Sequence, residues 1–327
     1  MKILRVGDPH VRPQNITEST NLMEKVANAA EALKVDRIEI LGDLFHTHAV
    51  IRLEVMAFWL HWLEVLAKIT HTVVITGNHD MSGDYGMEES ALSVFRGLHA
   101  NLDIIGLPTI KGIFGYLPYS HSSELFASKA NALIGMGAKV IVCHQTFNGA
   151  KYENGFFAPD GVSPTDINCD LIISGHIHAK QRFVTEKKQQ VIYPGTAKWD
   201  SASDANEEKG ITLFTHDDDT GKIIDELFIP TADVCTPIIR VIWNEGEEKP
   251  EIKEGAKVNV LLVGSSDWIS EQSKKLKGKV SISTKITDKK SEARKTGTGL
   301  EDFITNIYVS QADKTALIKY MKELSLV

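Results

Sequence analysis

A chain of 327 residues, 43% hydrophobic and 24% charged, has material for one large core or one and a half, and its composition is that of a soluble globular protein. The net charge of -7 argues against a protein that coats nucleic acid, and no apolar run approaches the roughly 20 residues of a membrane helix. Three cysteines, Cys143, Cys169 and Cys235, lack CxxC spacing and suggest neither a disulfide framework nor a zinc knuckle, and the start MKILRVGDPH enters a strand at once, so a cytoplasmic location is expected.

Lys2 to Val6 reads as a strand running into Gly7-Asp8-Pro9-His10. Asp8 and His10 are two apart, so an extended segment, which Pro9 favours for the residue before it, would turn both to one side to grip one ion. Asn21 to Leu33 carries Leu22, Val26, Ala30 and Leu33 at helical spacing, with Asn21 and Glu24 as a cap pair. The helix returns the chain to a strand through Ile38, Ile40 and Leu41, whose sequel LGDLFHTH (Leu41 to His48) delivers Asp43 to the carboxyl edge of a sheet. A second helix, about Arg52 to Ile69, turns Val55, Trp59, Trp62, Leu63 and Leu66 inward, and His61 belongs with that packing. Thr72 to Thr76 is a third strand, closing on Gly77-Asn78-His79-Asp80. This alternation predicts a parallel α/β sheet with right-handed crossovers.

Further on, a short helix is expected near Glu88 to Leu98, strand-like pieces at Leu102 to Ile105 and Ile113 to Tyr116, and a helix within Ser122 to Leu133. Lys139 to Cys143 is a buried strand ending on His144. The Gly-, Asn- and aromatic-rich stretch from Asn148 to Ser163 is a long loop, a kind of segment often functional. Leu171 to Ser174 leads to Gly175-His176-Ile177-His178, two imidazoles placed for one side of an extended segment. Arg182 to Val184 and Gln190 to Tyr193 form a hairpin that ends in Tyr193-Pro194-Gly195-Thr196, and Gly210 to Thr215 and Lys222 to Phe228 continue as antiparallel strands.

A composition shift at Pro230 to Pro237 divides the chain into an expected domain over residues 1–235 and a smaller α+β unit over 236–327. The smaller unit has strands at Ile238 to Trp243 and Lys257 to Val263 and a last helix near Gln311 to Leu324. Between Glu271 and Lys295 stand nine basic residues against three acidic ones, either a solvated face or a contact for a polyanion.

Five chain elements thus finish in oxygen or imidazole donors: Asp8, His10, Asp43, Asn78, His144, His176 and His178. Mixed carboxylate, amide and imidazole donors suit Mn²⁺, Fe²⁺ or Zn²⁺, and the lack of thiolates argues against a structural zinc site. Seven donors are too many for one ion and natural for two if one carboxylate bridges. Two ions about 3.5 to 4 Å apart clamp an in-line displacement at phosphorus, so phosphoester hydrolysis is the expected reaction. His79 and His46 remain outside this set, and an imidazole of near-neutral pKa can protonate or stabilise a leaving oxygen. Asp80 is placed to orient His79.

The blocks DPH, GDLFH, GNHD, VCH and GHIH, in that order, resemble the calcineurin-like metallophosphoesterases across roughly residues 1 to 235. The resemblance implies an α/β (α+β) fold, a four-layer αββα sandwich of two mixed β-sheets flanked by helices, here with a small C-terminal α+β cap. It implies one ion on Asp8, His10, Asp43 and His178 and another on Asp43, Asn78, His144 and His176. Within the superfamily, the GDLFH form, the YPGT element and the small C-terminal unit are similar to SbcD-type recombination nucleases, phage members included. That likeness implies a manganese-dependent 3′ to 5′ exonuclease with single-strand endonuclease activity on DNA, in which His46 assists the transition state and His79 acts near the leaving group. It further implies a homodimer and an SMC-like ATPase partner of the SbcC type, bound through a C-terminal segment. The acidic charge departs from that pattern. It would suit a phosphatase or cyclic-nucleotide phosphodiesterase of the same superfamily, which His46 opposes. A non-catalytic scaffold of the same fold would not need all seven donors and His79.

Overall fold

Aliphatic and β-branched residues alternate sides along a strand, so a strand buried on both faces must meet a different layer on each. The computed structural model describes every residue except 49, 82–89, 153–154, 159, 252–254, 279 and 288–327. The first half of the chain runs β1 (Lys2–Val6), α1 (Ile16–Leu33), β2 (Arg37–Ile40), α2 (Leu53–Ile69), β3 (His71–Ile75), β4 (Leu102–Ile105), β5 (Thr109–Lys111), β6 (Phe114–Leu117), α3 (Ser123–Gly135) and β7 (Val140–His144). There follow β8 (Leu171–Gly175), β9 (Gln181–Val184), β10 (Gln190–Tyr193), β11 (Gly210–His216), β12 (Ile223–Pro230), β13 (Ile238–Asn244), β14 (Lys257–Gly264), α4 (Ser266–Leu276) and β15 (Ser281–Ile286). Among the described residues, no helix is long and apolar enough to cross a membrane.

Two six-stranded sheets result, ordered β12-β11-β1-β2-β3-β4 and β5-β6-β7-β8-β10-β9. Strands β1 to β4 pair parallel and β11 and β12 antiparallel, so the sheet is mixed. In the other sheet β6, β7, β8 and β10 run parallel between antiparallel edges β5 and β9. Leu4, Val6, Ile38, Ile40 and Val74 pack outward against Leu22, Val26, Trp59 and Leu63 of α1 and α2. Their neighbours Ile3, Val73 and Ile75 face Phe114, Tyr116, Val140, Val142 and Ile173 of the opposite sheet. On the far side Ile141, Cys143, Ile172 and Val191 meet Phe126, Ala130 and Leu133 of α3. The order of layers is helices, sheet, sheet, helix: two mixed sheets flanked by helices. Each fully buried Ile, Val or Leu contributes roughly 1.5–3 kcal/mol toward this stacking. All three cysteines are buried free thiols.

The chain divides into two compact units, Met1–Arg240 with Glu251–Asn259, and Val241–Pro250 with Val260–Val327. A three-stranded sheet, β13-β14-β15, follows the sandwich in the chain. Helix α4 lies in a Lys- and Ser-rich stretch where the sequence predicts only polar chain. The Ser265 hydroxyl caps it at the Trp268 amide, and Ile269, Gln272 and Leu276, three and four apart, supply a buried face. Lys274 and Lys275 sit in its last turn. Residues 288–295 of the basic run, Lys279 and the helix expected over 311–324 lie outside the described residues.

Two other elements differ from expectation. Helix α1 starts at Ile16, five residues before Asn21, because a 3₁₀ turn over Pro13–Asn15 already bends the chain into it. Asn15 occupies the N-cap, its side-chain amide tied to the His10 carbonyl at 3.0 Å, and Asn21 falls inside the helix. The helix expected near Glu88 to Leu98 is a 3₁₀ turn at Ala91–Phe95, with residues 88–89 outside the description. Leu92 and Phe95, three apart, fill one short face, and Gly97 at φ 78° turns the chain away.

Between the sheets lies a buried polar group that the apolar pattern does not announce. Arg5 and Glu39 have no exposed surface, and Arg5 Nε donates to Glu39 Oε2 at 2.7 Å. The Tyr116 hydroxyl donates to the other oxygen, and Arg37 Nη1 donates to that hydroxyl at 2.5 Å. Burial opposes ionisation of Glu39, but Arg5 and Arg37 outweigh it and hold its pKa below the ordinary value of 4.5. Removing one partner leaves a buried charge without compensation, which costs about 3–5 kcal/mol. Glu39→Ala is therefore expected to lower the unfolding free energy by about that amount at pH 7 in urea titrations. Because the folded pKa is depressed, the wild-type advantage is full above about pH 4.5 and shrinks below it; an advantage that grew on acidification would contradict the assignment.

Candidate metal centre

The registers Val6↔Ile40 and Ile40↔Val74 bring the ends of β1, β2 and β3 level, and His144↔Gly175 does the same for β7 and β8. The loops leaving these ends hold the predicted donors. They are not extended. Asp8, His10, Asp43 and His176 have φ of 31°, 41°, 51° and 82°, a left-handed region that costs a side-chain-bearing residue on the order of 1–3 kcal/mol. The expectation that Asp8 and His10, or His176 and His178, share one side of a straight segment is thus corrected. The backbone twists at the first of each pair, and His176 and His178 reach different partners.

Main-chain bonds lock the twisted loops. His10 N and Val11 N donate to the carbonyls of Asp43 and Leu44, each at 2.9 Å. Trp59 Nε1 donates to the Leu44 carbonyl at 3.1 Å, so a core residue of α2 fixes the Asp43 loop from behind. Asp80 corrects another expectation: its carboxylate does not turn to the neighbouring imidazole but accepts from Gly77 N at 2.9 Å and Phe45 N at 3.2 Å. It ties the third loop to the second. Burial and the Asp43 charge push its pKa up to about 8 against those two amide donors. His79 is held instead by its Nδ1, which donates to the His46 carbonyl at 2.8 Å, and by the His48 ring stacked on it.

The seven predicted donors lie near one another: two groups of side chains, Asp43 between them, and Asp8 beside His144, its Oδ1 3.5 Å from Nδ1. His10 Nε2 and His178 Nε2 lie 3.1 Å apart. Asn78 Oδ1 lies 3.0 Å from His144 Nε2 and 2.8 Å from His176 Nδ1, and those nitrogens are 3.2 Å apart. Asp43 Oδ2 stands between the groups, 3.6 Å from His10 Nε2 and 3.3 Å from His144 Nε2. Its Oδ1 accepts from the His79 amide at 2.8 Å. Asp8 Oδ2 accepts from the His176 amide at 2.8 Å, while its buried Oδ1 has no hydrogen-bond donor. His79 also comes close enough to Asp43 and His10 for its ring nitrogen to join them around a cation, a contact the sequence does not disclose.

The donor set fits a pair of divalent cations. His10 Nδ1 faces the Phe45 carbonyl and His144 Nδ1 the Leu41 carbonyl, at 3.3 and 2.7 Å, so each ring keeps a proton there and presents Nε2 to Asp43. The neutral His10 ring meets an Asp43 oxygen with its Nε2 lone pair, acceptor against acceptor, an arrangement a cation resolves. Burial lowers the pKa of His10 to about 3, and burial with the adjacent His144 lowers that of His176 to about 3, so both rings are neutral at ordinary pH and have a lone pair to offer a cation. Burial also opposes protonation of His144, yet Asp43 and Asp8 beside it raise its pKa to about 9, so its Nε2 carries the positive charge that a bound cation would supply in its place. Close backbone approach makes the cradle: a Cβ on Gly77 would lie 2.2 Å from Asp43 Oδ1, and one on Gly42, already at φ 106°, would lie 2.4 Å from His144 Nδ1.

Four supporting residues escaped sequence reasoning. Asp204 Oδ1 is 3.6 Å from His178 Nδ1 and 2.8 Å from Lys209 Nζ, while its Oδ2 accepts from the amides of Asp200 and Ser201. Lys209 also donates to the His178 carbonyl at 2.8 Å. Arg12 Nη1 lies 2.9 Å from His46 Nε2, and its Nη2 donates to the Asp200 carbonyl at 3.1 Å. The Asp200 carboxylate closes the ring, 3.4 Å from His46 Nδ1 and 3.3 Å from Arg12 Nη2. Burial and Arg12 lower the pKa of His46 against the pull of Asp200. The one available signal was the pair Asp200 and Asp204 soon after the buried YPGT turn.

A two-sheet sandwich whose strand ends converge on paired histidines and carboxylates defines a metal-dependent phosphoesterase. The family model for calcineurin-like phosphoesterases matches residues 1–180, and the chain belongs to that family. Protein 244L of Invertebrate iridescent virus 6, named as a phosphoesterase, is 28% identical over 229 residues, covering 66% of this chain and 77% of its own. Among solved structures, TT1561 of Thermus thermophilus is 15% identical with a TM-score of 0.43, over 69% of this chain and 98% of its own. YfcE, a phosphoesterase from E. coli, is 17% identical with a TM-score of 0.33, over 69% and 98%.

Gly77→Ala forces Asp43 to move, so Mn²⁺ affinity by isothermal titration calorimetry is expected to fall roughly 10–100-fold, the usual effect of disturbing a ligand's support. Gly135→Ala, at the end of α3 with open space around the new Cβ, is the control and should bind Mn²⁺ as the wild type does.

Proposed function

We propose that this chain is a dinuclear-metal phosphodiesterase acting on DNA, a manganese-dependent 3′ to 5′ exonuclease and single-strand endonuclease serving recombination, repair or replication. The observation that carries the phosphoesterase reading is the single Asp43 oxygen placed between two groups of imidazoles, and His46 beside His79 is what favours a diester. In this reading Asp8, His10, Asp43 and His178 would hold one cation and Asp43, Asn78, His144 and His176 the other. When bound, the cations supply Lewis acidity toward the phosphoryl oxygens and lower the pKa of water. Manganese follows from the SbcD likeness; the donor set also suits Fe²⁺ or Zn²⁺.

The protein's own groups do the rest. Donation from His79 Nδ1 to the His46 carbonyl fixes the tautomer, so Nε2 is the atom that exchanges a proton with the leaving oxygen. His46, neutral and bonded to Arg12, sits beside that histidine and passes the guanidinium's positive field toward the charge that develops on the phosphoryl group. Asp200 keeps both in place. The homodimer, the SbcC-type ATPase partner and the cytoplasmic location rest on the resemblance and composition alone.

The deciding assay is Mn²⁺-dependent release of nucleotides from linear DNA, beside p-nitrophenyl phosphate. Turnover of the monoester alone would replace the nuclease reading with a phosphatase. His79→Ala is expected to lower kcat by about 10²–10⁴ while two metals remain by elemental analysis. Full activity would refute its proton role, and loss of one metal would make His79 a ligand. Asp43→Ala should lose both ions together; loss of just one would show that its carboxylate does not bridge.

A further inference from the structure

Beside His46 opens a cleft of about 630 Å³, bounded by the segment after β1, the Asp43 loop and the first turn of α2. Clefts of roughly 300–1,000 Å³ take drug-sized ligands, and a nucleotide is of that size. Its walls are mostly aliphatic, from Val50, Ile51 and Val55, and its cations are Arg12 and Arg52. Val50 is 64% exposed although apolar, and Arg12 is one-third exposed even while clasped by Asp200 and His46. A centre that takes phosphate alone has no use for such a space.

The other end of the centre is unlike it. A cleft of about 200 Å³ beside His176 is lined by Tyr119, Ser120, His121, Gln145 and Tyr152, polar and smaller. The two groups of donors therefore open onto clefts of different size and chemistry.

Resting on the phosphodiesterase reading above, we propose that the Arg12–Val50–Val55 cleft is a nucleotide subsite. It seats the base of the DNA nucleotide next to the scissile phosphate between aliphatic side chains, with the Arg12 guanidinium on the neighbouring phosphate. Arg12 is suited to this because Asp200 and His46 hold its one-third-exposed guanidinium in place, and five N–H donors are more than those two residues take up. The subsite also reconciles a net charge of -7 with a polyanionic substrate. Affinity comes from one buried base and one or two phosphate contacts instead of a basic surface, so binding should depend only weakly on salt, with a slope of about -0.7 per phosphate contacted.

The test uses the full chain carrying His79→Ala, loaded with Mn²⁺, and a fluorescein-labelled ten-residue oligothymidylate read by anisotropy. Adding Val50→Glu is expected to raise Kd at least tenfold, as is Arg12→Ala, with Arg12→Lys between that and the parent. Val94→Glu, at another exposed valine, should stay within twofold. With His79 intact, Val50→Glu should lower the ratio of kcat/KM for the oligonucleotide to that for bis(p-nitrophenyl) phosphate at least tenfold. A Kd within twofold of the parent for Val50→Glu, or an unchanged ratio, overturns the subsite. Should the unsubstituted protein hydrolyse neither substrate, the phosphodiesterase reading fails, and the anisotropy comparison still decides whether the cleft binds a nucleotide.

Discussion

A single carboxylate oxygen, Asp43 Oδ2, is the point on which the structure turns. It is buried, lies within 3.6 Å of imidazole nitrogens from two different groups, and belongs to a residue held at φ 51°. A buried anion in strained backbone is unfavourable twice over, by desolvation and by conformation. It persists because the surroundings over-determine it. The His79 amide donates to its other oxygen, Trp59 and Asp80 grip its loop from either side, and Gly77 leaves the room it needs. The β2–α2 connection thus carries the same strain as the β1 and β8 connections, which twist at Asp8, His10 and His176.

The sandwich makes such local strain tolerable. Two sheets stacked through a continuous apolar layer, and pinned between by the Arg5–Glu39–Tyr116 group, do not yield when their loops are forced into costly geometry. Parallel pairing contributes the geometry directly. Strands running the same way end on the same edge, so the loops after β1, β2, β3, β7 and β8 are neighbours without any long excursion of chain. The donors are contributed by both sheets, which is why the centre lies where the two carboxyl edges meet.

Around the donors runs a shell of opposite charges: Arg12 with Asp200, Lys209 with Asp204, and His46 and His178 between them. Most of these partners come from the chain after β10, far in sequence from the histidines they orient. Their effect is to orient the rings and to keep Arg12 and Lys209 beside the carboxylates that border the centre. An acidic protein can in this way present a locally positive path to a phosphodiester.

The sequence by itself made most of the strands legible, though not β5 or β15, and the resemblance carried by its motifs implied the layering and a set of candidate donors. Each donor follows a run of aliphatic residues whose period reports a buried strand, and the residue types at those ends state their chemistry outright, as at Gly42-Asp43 and Gly175-His176. Helix α4 and the start of α1 were less legible, since a short polar helix depends on a cap and three spaced contacts more than on composition. Only the tertiary structure decided that Asp80 clamps the Asp43 loop and not His79, that His176 and His178 part company, and that Arg12, Asp200, Asp204 and Lys209 surround the centre. Those outcomes depend on the sign of φ at single residues and on which loops from distant strands are laid side by side. A linear pattern records what a side chain can do, whereas its partners are set by where the sheets bring the backbone to rest.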